Sequence, residues 1–197
     1  MKLAIFVIAI LSILLIISQL YFAMAKTETQ PYQVIKSDKD FEIRLYPPAT
    51  MASISMEAKT YKELSSTGFR KLASYIFGGN EDKKNIAMTT PVHMDINDSY
   101  SSMSFVMPAD YNKANLPKPN DSSVSIRTTA EEYAAVIQFG GYANDEDIQR
   151  NTIKLGNSLK ASGVDYYGNF RFLGYNAPYQ FLGRKNEIIV NVRWNQK

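Results

Sequence analysis

The 197 residues contain no cysteine, and histidine and tryptophan occur once each. Without cysteine the chain can form no disulfide, no thiolate nucleophile and no thiolate metal centre. With His93 as its lone histidine, a nucleophile–histidine pair has one candidate base, for which the sequence shows no orienting partner. There is no Gly-rich phosphate loop, no H-E-x-x-H and no G-x-S-x-G. Basic runs are missing too. The net charge is +3 and the Lys and Arg are scattered, which speaks against nucleic acid, whose binders gather charge on one face. Two-carboxylate chemistry stays open, because acids brought together by folding are invisible in a sequence.

What is present begins with an apolar N-terminus. After Met1-Lys2, residues Leu3 to Ile17 are apolar except for Ser12, and Ala23-Met24-Ala25 follows. A lysine, an apolar run and an A-x-A site are the parts of a secretory signal peptide. The run is also long enough to serve as an uncleaved membrane anchor. Residues 1–25 are therefore expected to be a signal peptide or an N-terminal anchor. Lys2 favours an N-in orientation, so the rest of the chain is expected outside the cytoplasm: periplasmic, extracellular or membrane-anchored. Residues 26–31 read as a polar linker, and 32–197 as one domain.

Within that domain the same order of elements occurs twice. Phe41 to Tyr46 alternates with period two, with Phe41, Ile43 and Leu45 on one face and Glu42, Arg44 and Tyr46 on the other. A strand through Thr50, Ala52, Ile54 and Met56 follows. Thr60-x-x-Glu63 reads as a capping box for a helix that runs to about Phe77 and stops at Gly78-Gly79-Asn80. Residues 86–96 and a segment through Met103, Phe105 and Met107 read as two more strands. The second round is a strand over 134–139, a helix capped by Asn144 with Ile148, Thr152, Leu155 and Leu159 as its buried stripe, and strands over 170–175 and 188–194. Strand-helix-strand-strand, twice, predicts an α+β fold: one strongly curved antiparallel sheet with two helices packed on it.

The motifs along these elements resemble a known family. Ile86-Ala-Met-Thr-Thr-Pro-Val92, Gln138-Phe-Gly-Gly-Tyr-Ala143 and Gly183-Arg-Lys-Asn-Glu-Ile188 look like hallmark segments of the SOUL haem-binding protein family, as do Tyr46-Pro47 and Gly174-Tyr-Asn-Ala-Pro178. The resemblance covers about residues 32–194. It implies a distorted, barrel-like sheet similar to bacterial effector-binding domains that accept bulky aromatic cations. It also implies non-covalent binding of haem or a related tetrapyrrole by a protein that is not an enzyme, in an open apolar groove along the first helix near the loop before the last strand. In that groove basic side chains reach the propionates, and their positions align to Ser66, Ser74 and Gln180. The histidine proposed as iron ligand in one animal branch falls near Leu45.

These expectations select residues. On the first helix, Tyr61, Leu64, Gly68, Leu72, Tyr75 and Ile76 form the buried arc. Phe69 lies at its edge and Ala73 beyond it, a pair suited to the face of a flat ring. The candidate cofactor-binding set is Phe69, Leu72 and Ala73, with Tyr179 and Phe181 from the loop and Arg70, Lys71 and Arg184 as replacement cations. His93 is the one candidate axial ligand, although alternation places it with Ala87, Thr89 and Asp95, away from the apolar face. Glu187, after Arg184 and Lys185, reads as a structural ion pair rather than a general base. The competing readings are a binding module for other amphipathic aromatic ligands, and a hydrolase or an enzyme acting on haem. Oligomeric state is left open by the sequence.

Overall fold

The computed structural model describes residues 2–24, 27–97 and 100–194. Ala25 of the A-x-A site, Lys26 of the linker and residues 195–197 lie outside the described residues. The first helix, α1, is Lys2–Met24, and Phe6, Leu11, Leu14 and Ile17 on it are exposed. Its side chains are described over 6–8 and 10–18. Among the described residues no helix is long and apolar enough to cross a membrane.

Nine strands and two further helices form the domain: β1 (Gln33–Ser37), β2 (Glu42–Tyr46), β3 (Thr50–Met56), α2 (Tyr61–Ile76), β4 (Val92–Asp95), β5 (Ser101–Val106), β6 (Ser125–Thr128), β7 (Glu132–Gly140), α3 (Asp145–Ala161), β8 (Tyr166–Gly174) and β9 (Lys185–Val192). They make one antiparallel sheet in the order β1-β2-β7-β9-β8-β4-β5-β3-β6, not closed into a barrel. The curvature follows from connectivity. β6 ends at Thr128 and β7 begins at Glu132, yet six inter-strand steps separate them in the sheet. Four residues reach about 14 Å, whereas six steps across a flat sheet would span roughly 29 Å. The sheet must curl until its β6 end faces β7.

Each face of the curled sheet is buried differently. One face packs on α2 and α3 and carries the main core, with Ile43, Ala52, Ile54, Met94, Met103, Phe105, Ala135, Ile137, Ile188, Val190 and Val192. Alternate residues on the same strands point the other way. Tyr46, Ala134, Val136, Leu173 and Ile189 form a second, smaller cluster there. Residues that pure alternation would assign to solvent, such as Arg44 and Glu187, are therefore buried.

The helices begin and end where side chains satisfy their free backbone groups. Thr60 Oγ1 accepts the Glu63 N–H at 3.2 Å, and Glu63 reaches back to the Lys59 N–H at 2.8 Å. α2 buries Leu64, Gly68, Leu72, Tyr75 and Ile76, the predicted arc. Gly68 sits where helix meets sheet: an added Cβ would lie 3.2 Å from Ile54 Cδ1 and 3.3 Å from Met103 Cε. α3 starts at Asn144, whose side chain accepts from the Asp147 N–H at 2.8 Å. Its fully buried stripe is Asn151, Leu155 and Leu159, with Ile148 and Thr152 only partly covered. Asn151 is admitted because its amide donates to the Asp147 carbonyl at 2.8 Å.

Two strands escaped the sequence reading, β1 and β6. Both are largely exposed sheet edges without apolar alternation. The strand expected over 86–96 is shorter, β4 alone. Pro91 offers no N–H to a ladder, and the preceding Thr90 instead exchanges backbone hydrogen bonds with Glu28 and Gln30.

Candidate functional site

Where the C-terminal end of α2 meets the segment between β8 and β9, the surface opens into a groove of about 450 Å³. Phe69 and Phe77 form its helical wall, Met88 and Val92 its base, and Tyr175 to Gln180 the opposite wall. Phe69 is 36% exposed, and its ring stands edge-on to Phe105 at 5.3 Å between centroids. The inner edge of Phe69 is thus fixed by the core, while its outer face is free for a ligand. Phe77, one residue beyond the helix, is exposed. Ala73 lies one turn from each, partly buried between them along the helix.

The facing loop is held by its own hydrogen bonds. Arg184 Nη1 donates to the carbonyls of Ala177 at 2.8 Å and Gln180 at 2.5 Å, and its guanidinium lies 4.1 Å above the Tyr142 ring. Tyr142 in turn donates to the Pro178 carbonyl at 3.1 Å. Asn176 Oδ1 accepts the Lys185 N–H at 2.6 Å. Gln180 is buried, with its amide on the Leu182 carbonyl at 3.2 Å.

Behind this wall sits a buried, multiply paired charge. Glu187 is fully buried. Arg44 Nη1 donates to both its oxygens, at 3.0 and 3.1 Å, and Lys185 Nζ lies 3.0 Å from Oε1. Tyr175 Oη donates to Oε2 at 2.6 Å. Arg44 also binds Glu42 and stacks 4.1 Å above Tyr32. Burial works to lower the Arg44 pKa, but the Glu187 charge and the bonds to Tyr46 and Glu42 outweigh it, and the guanidinium is held charged. Tyr175 is pushed well above the usual phenol range, by burial first and then by Glu187. It stays a neutral donor.

The candidate residues fall on several sides of the molecule. Phe69 and Tyr179 line the groove together. Phe181 is exposed on the same loop but is not part of the groove lining. Leu72 is fully buried in the core and has no surface to offer a ligand. Arg70 is exposed outside the groove, its Nε on the Ser66 carbonyl at 3.3 Å. Lys71 ties α2 to the 116–124 loop, through Ser123 at 2.9 Å and Asp121 at 3.5 Å. Arg184 is a clamp on the loop backbone rather than a free cation. Among the described residues, no lysine or arginine lines the groove.

His93 cannot reach this groove. Its strand turns Val92 and Met94 toward the main core and His93 to the opposite face. There it is buried, not solvated as a lone strand histidine more often is, with Nε2 2.7 Å from Gln30 Oε1. Among the described residues, no group of three metal-binding side chains occurs. Phe77, Met88 and Tyr175 are groove residues that the sequence reading did not select. Phe77 was legible as the third member of an i, i+4, i+8 row with Phe69 and Ala73. Tyr175 stands in the Gly174-Tyr-Asn-Ala-Pro178 motif, which carries the resemblance without giving this ring a role.

The chain has relatives in sequence and neighbours in fold. The family described as SOUL heme-binding protein matches residues 27–191. Heme-binding protein 2 of Homo sapiens is 32% identical over 156 residues, covering 75% of this chain and 76% of its own length. Heme-binding protein 2 of Mus musculus is 30% identical over 166 residues, covering 80% of each chain. Among solved structures, the EcmrR C-terminal domain superposes with a TM-score of 0.61 over 82% of this chain and 98% of its own, at 10% identity. A hydrolase from Listeria innocua does so at 0.55, over 81% and 94%, at 9% identity. At such identities these two share the fold alone. The family match over nearly the whole described domain, together with the human and mouse relatives, shows that this chain belongs to the SOUL heme-binding protein family.

Proposed function

We propose that the protein binds haem or a related tetrapyrrole, without catalysis, in the groove between α2 and the 175–180 loop, as a carrier or buffer. The observation that carries this reading is the groove itself: a slot of about 450 Å³ with Phe69 and Phe77 on one wall and Tyr175 and Tyr179 on the other. Aromatic walls of this kind suit the faces of a flat macrocycle. The residues fit the ring better than its carboxylates. With no cation lining the slot, the propionates are left to water at the open edge. The bound group would supply its own iron chemistry, and this chain supplies apolar contact and a fixed slot.

The non-catalytic reading draws on Glu187. Among the described residues it is the one fully buried carboxylate, and Arg44, Lys185 and Tyr175 saturate it. A carboxylate so bonded is a poor general base. The same saturation speaks against a lipophilic cation seeking a buried negative charge.

The test is a titration of residues 27–197 with hemin beside a non-binding control protein. A saturable Soret shift, weakened about tenfold or more by the double change Phe69→Ala and Phe77→Ala and unaffected by His93→Ala, is the expected result. Affinity equal to that of the control sinks the reading.

The N-terminal segment supports a further element of the proposal, export of the domain. Lys2 opens an apolar helix whose described large apolar side chains are exposed. N-terminal sequencing of the protein recovered from its own cells distinguishes a cleaved signal, starting near Lys26, from an anchor. Recovery in the cytoplasm with an intact N-terminus would reject export.

A further inference from the structure

We propose that the chain has a second ligand site, on the sheet face turned away from the helices, which takes the oxyanion group of a small carboxylate or phosphate. The site is a groove of about 470 Å³ that receives residues from seven strands, because the sheet curls there. Its floor is His93 and Ser104, both buried. Arg127 of β6 stands at its exposed mouth, and Arg171 of β8 lines the side.

Half of this sheet face is apolar, with Tyr46, Ala134, Val136, Leu173 and Ile189. The same face could have continued so across β4, β5 and β3. Instead it buries His93, Ser104 and Ser53, and Gln30 is buried against His93. Polar groups in such positions are costly unless they are bonded. Concave sites with convergent polar groups are where ligands bind.

The charges in the groove are unequally satisfied. Arg171 Nη2 donates to Glu132 Oε1 at 2.8 Å and to Asn191 Oδ1 at 2.5 Å, and Asn191 closes the triangle by donating to Glu132 Oε2 at 2.9 Å. Asp95 accepts from the Asn97 amide at 2.8 Å and the Asn169 amide at 3.4 Å. Arg127 differs. Its Nε donates to Ser53 Oγ at 3.0 Å and its Nη2 to Ser104 Oγ at 3.3 Å. Among the described residues, no carboxylate pairs with it.

Proton counting then gives the ligand's chemistry. Arg127 has N–H groups beyond those spent on the serines. The two serine oxygens lie 2.8 Å apart and share one hydroxyl proton. With Ser53 as that donor, Ser104, which lines the groove, keeps its own proton for a ligand. The guanidinium's remaining N–H groups and a hydroxyl donor beside one space call for an oxyanion. The field at the floor has the same sign. His93 is held neutral, its pKa lowered to about 3, by burial first and then by Arg171 and Arg127. Of the carboxylates lining the groove, Glu132 is paired with Arg171, while Asp95 keeps its charge and spends its oxygens on the Asn97 and Asn169 amides.

The single histidine makes the test direct. The full-length chain in non-ionic detergent is titrated at low ionic strength with inorganic phosphate, and in a separate arm with acetate, while the ring signals of His93 are followed by NMR. A saturable shift in either arm is the expected result, and the responding arm names the oxyanion. Arg127→Gln should weaken it about tenfold or more, and Ser104→Ala should weaken it severalfold with the arginine intact. No saturable shift in either arm would overturn the proposal, as would a shift reproduced by sodium chloride at matched ionic strength. Equal affinity in both variants would overturn it as well. Hemin binding in the α2 groove enters none of these outcomes.

Discussion

His93 stays neutral in the folded chain below the pH at which an exposed histidine takes a proton. The direction of the effect on stability follows. Above about pH 6.5 the ring is neutral in both states and contributes nothing. Below it the unfolded chain gains a proton that the folded chain refuses until about pH 3. Stability therefore falls with acidification by up to about 1.4 kcal/mol per pH unit from this group. Urea unfolding at pH 7 and pH 5 should show a loss larger in the wild type than in His93→Gln, by at most about 2 kcal/mol. Equal losses would show that the ring is not shielded. Glu187 gives a steeper prediction at the same scale. Removing one partner of a buried ion pair strands the other, so Glu187→Ala should cost about 3–5 kcal/mol in denaturant unfolding. Glu42 touches the same Arg44 from a far more exposed position. Its replacement by Ala should cost less than about 1 kcal/mol. Similar costs for the two would mean that burial is not what sets the strength of the cluster.

At the scale of single elements, α2 carries the groove wall and its C-terminal end sets where Phe77 stands. Gly78 there has φ +97°, and the Gly79 N–H bonds the Ser74 carbonyl at 2.8 Å. A Cβ on Gly79 would fall 2.5 Å from that carbonyl oxygen. Gly79→Ala should destabilise the domain by about 1–3 kcal/mol and weaken hemin binding, since Phe77 moves with the turn. Unchanged melting and unchanged binding would remove the turn from the account. The helices were the most legible parts of the sequence, because Thr60, Glu63 and Asn144 write their starts in local chemistry and the apolar arc writes the buried face. The strands were legible where one face meets the core, as at Met103, Phe105 and Met107. β1 and β6 carry no such pattern, since edge residues need not alternate. The burial of Arg44, which alternation places on the face of Glu42 and Tyr46, was illegible for the opposite reason. Alternation distinguishes two sides of a strand, but not a solvated side from one that a curled sheet encloses. The groove was half legible. Phe69 and Tyr179 follow from helix geometry and the loop sequence, whereas Arg184 looked like a free cation because its partners are backbone carbonyls.

For the whole molecule, the two grooves divide the labour of recognition between opposite faces of one sheet. The α2 groove is aromatic and lacks a cation; the opposite groove is polar and holds two arginines. A tetrapyrrole in the first therefore gains little from its carboxylates. Hemin and its dimethyl ester should bind residues 27–197 with affinities within about threefold of each other, which is under about 1 kcal/mol. A tenfold or greater preference for the free acid would show that cations reach the propionates after all.

Tyr175 joins the groove to the centre of the domain. Its ring stands in the groove wall, Lys185 lies 4.1 Å above it, and its hydroxyl is bonded to Glu187. A ligand that pushes on this ring pushes against the buried pairing of Glu187 with Arg44 and Lys185. One jaw of the slot is in that sense fixed to the frame; on the other, the Phe69 ring packs against Phe105 and Phe77 is exposed. A slot with one immovable jaw gauges thickness. In the proposed reading such a slot would select flat rings by thickness rather than by charge.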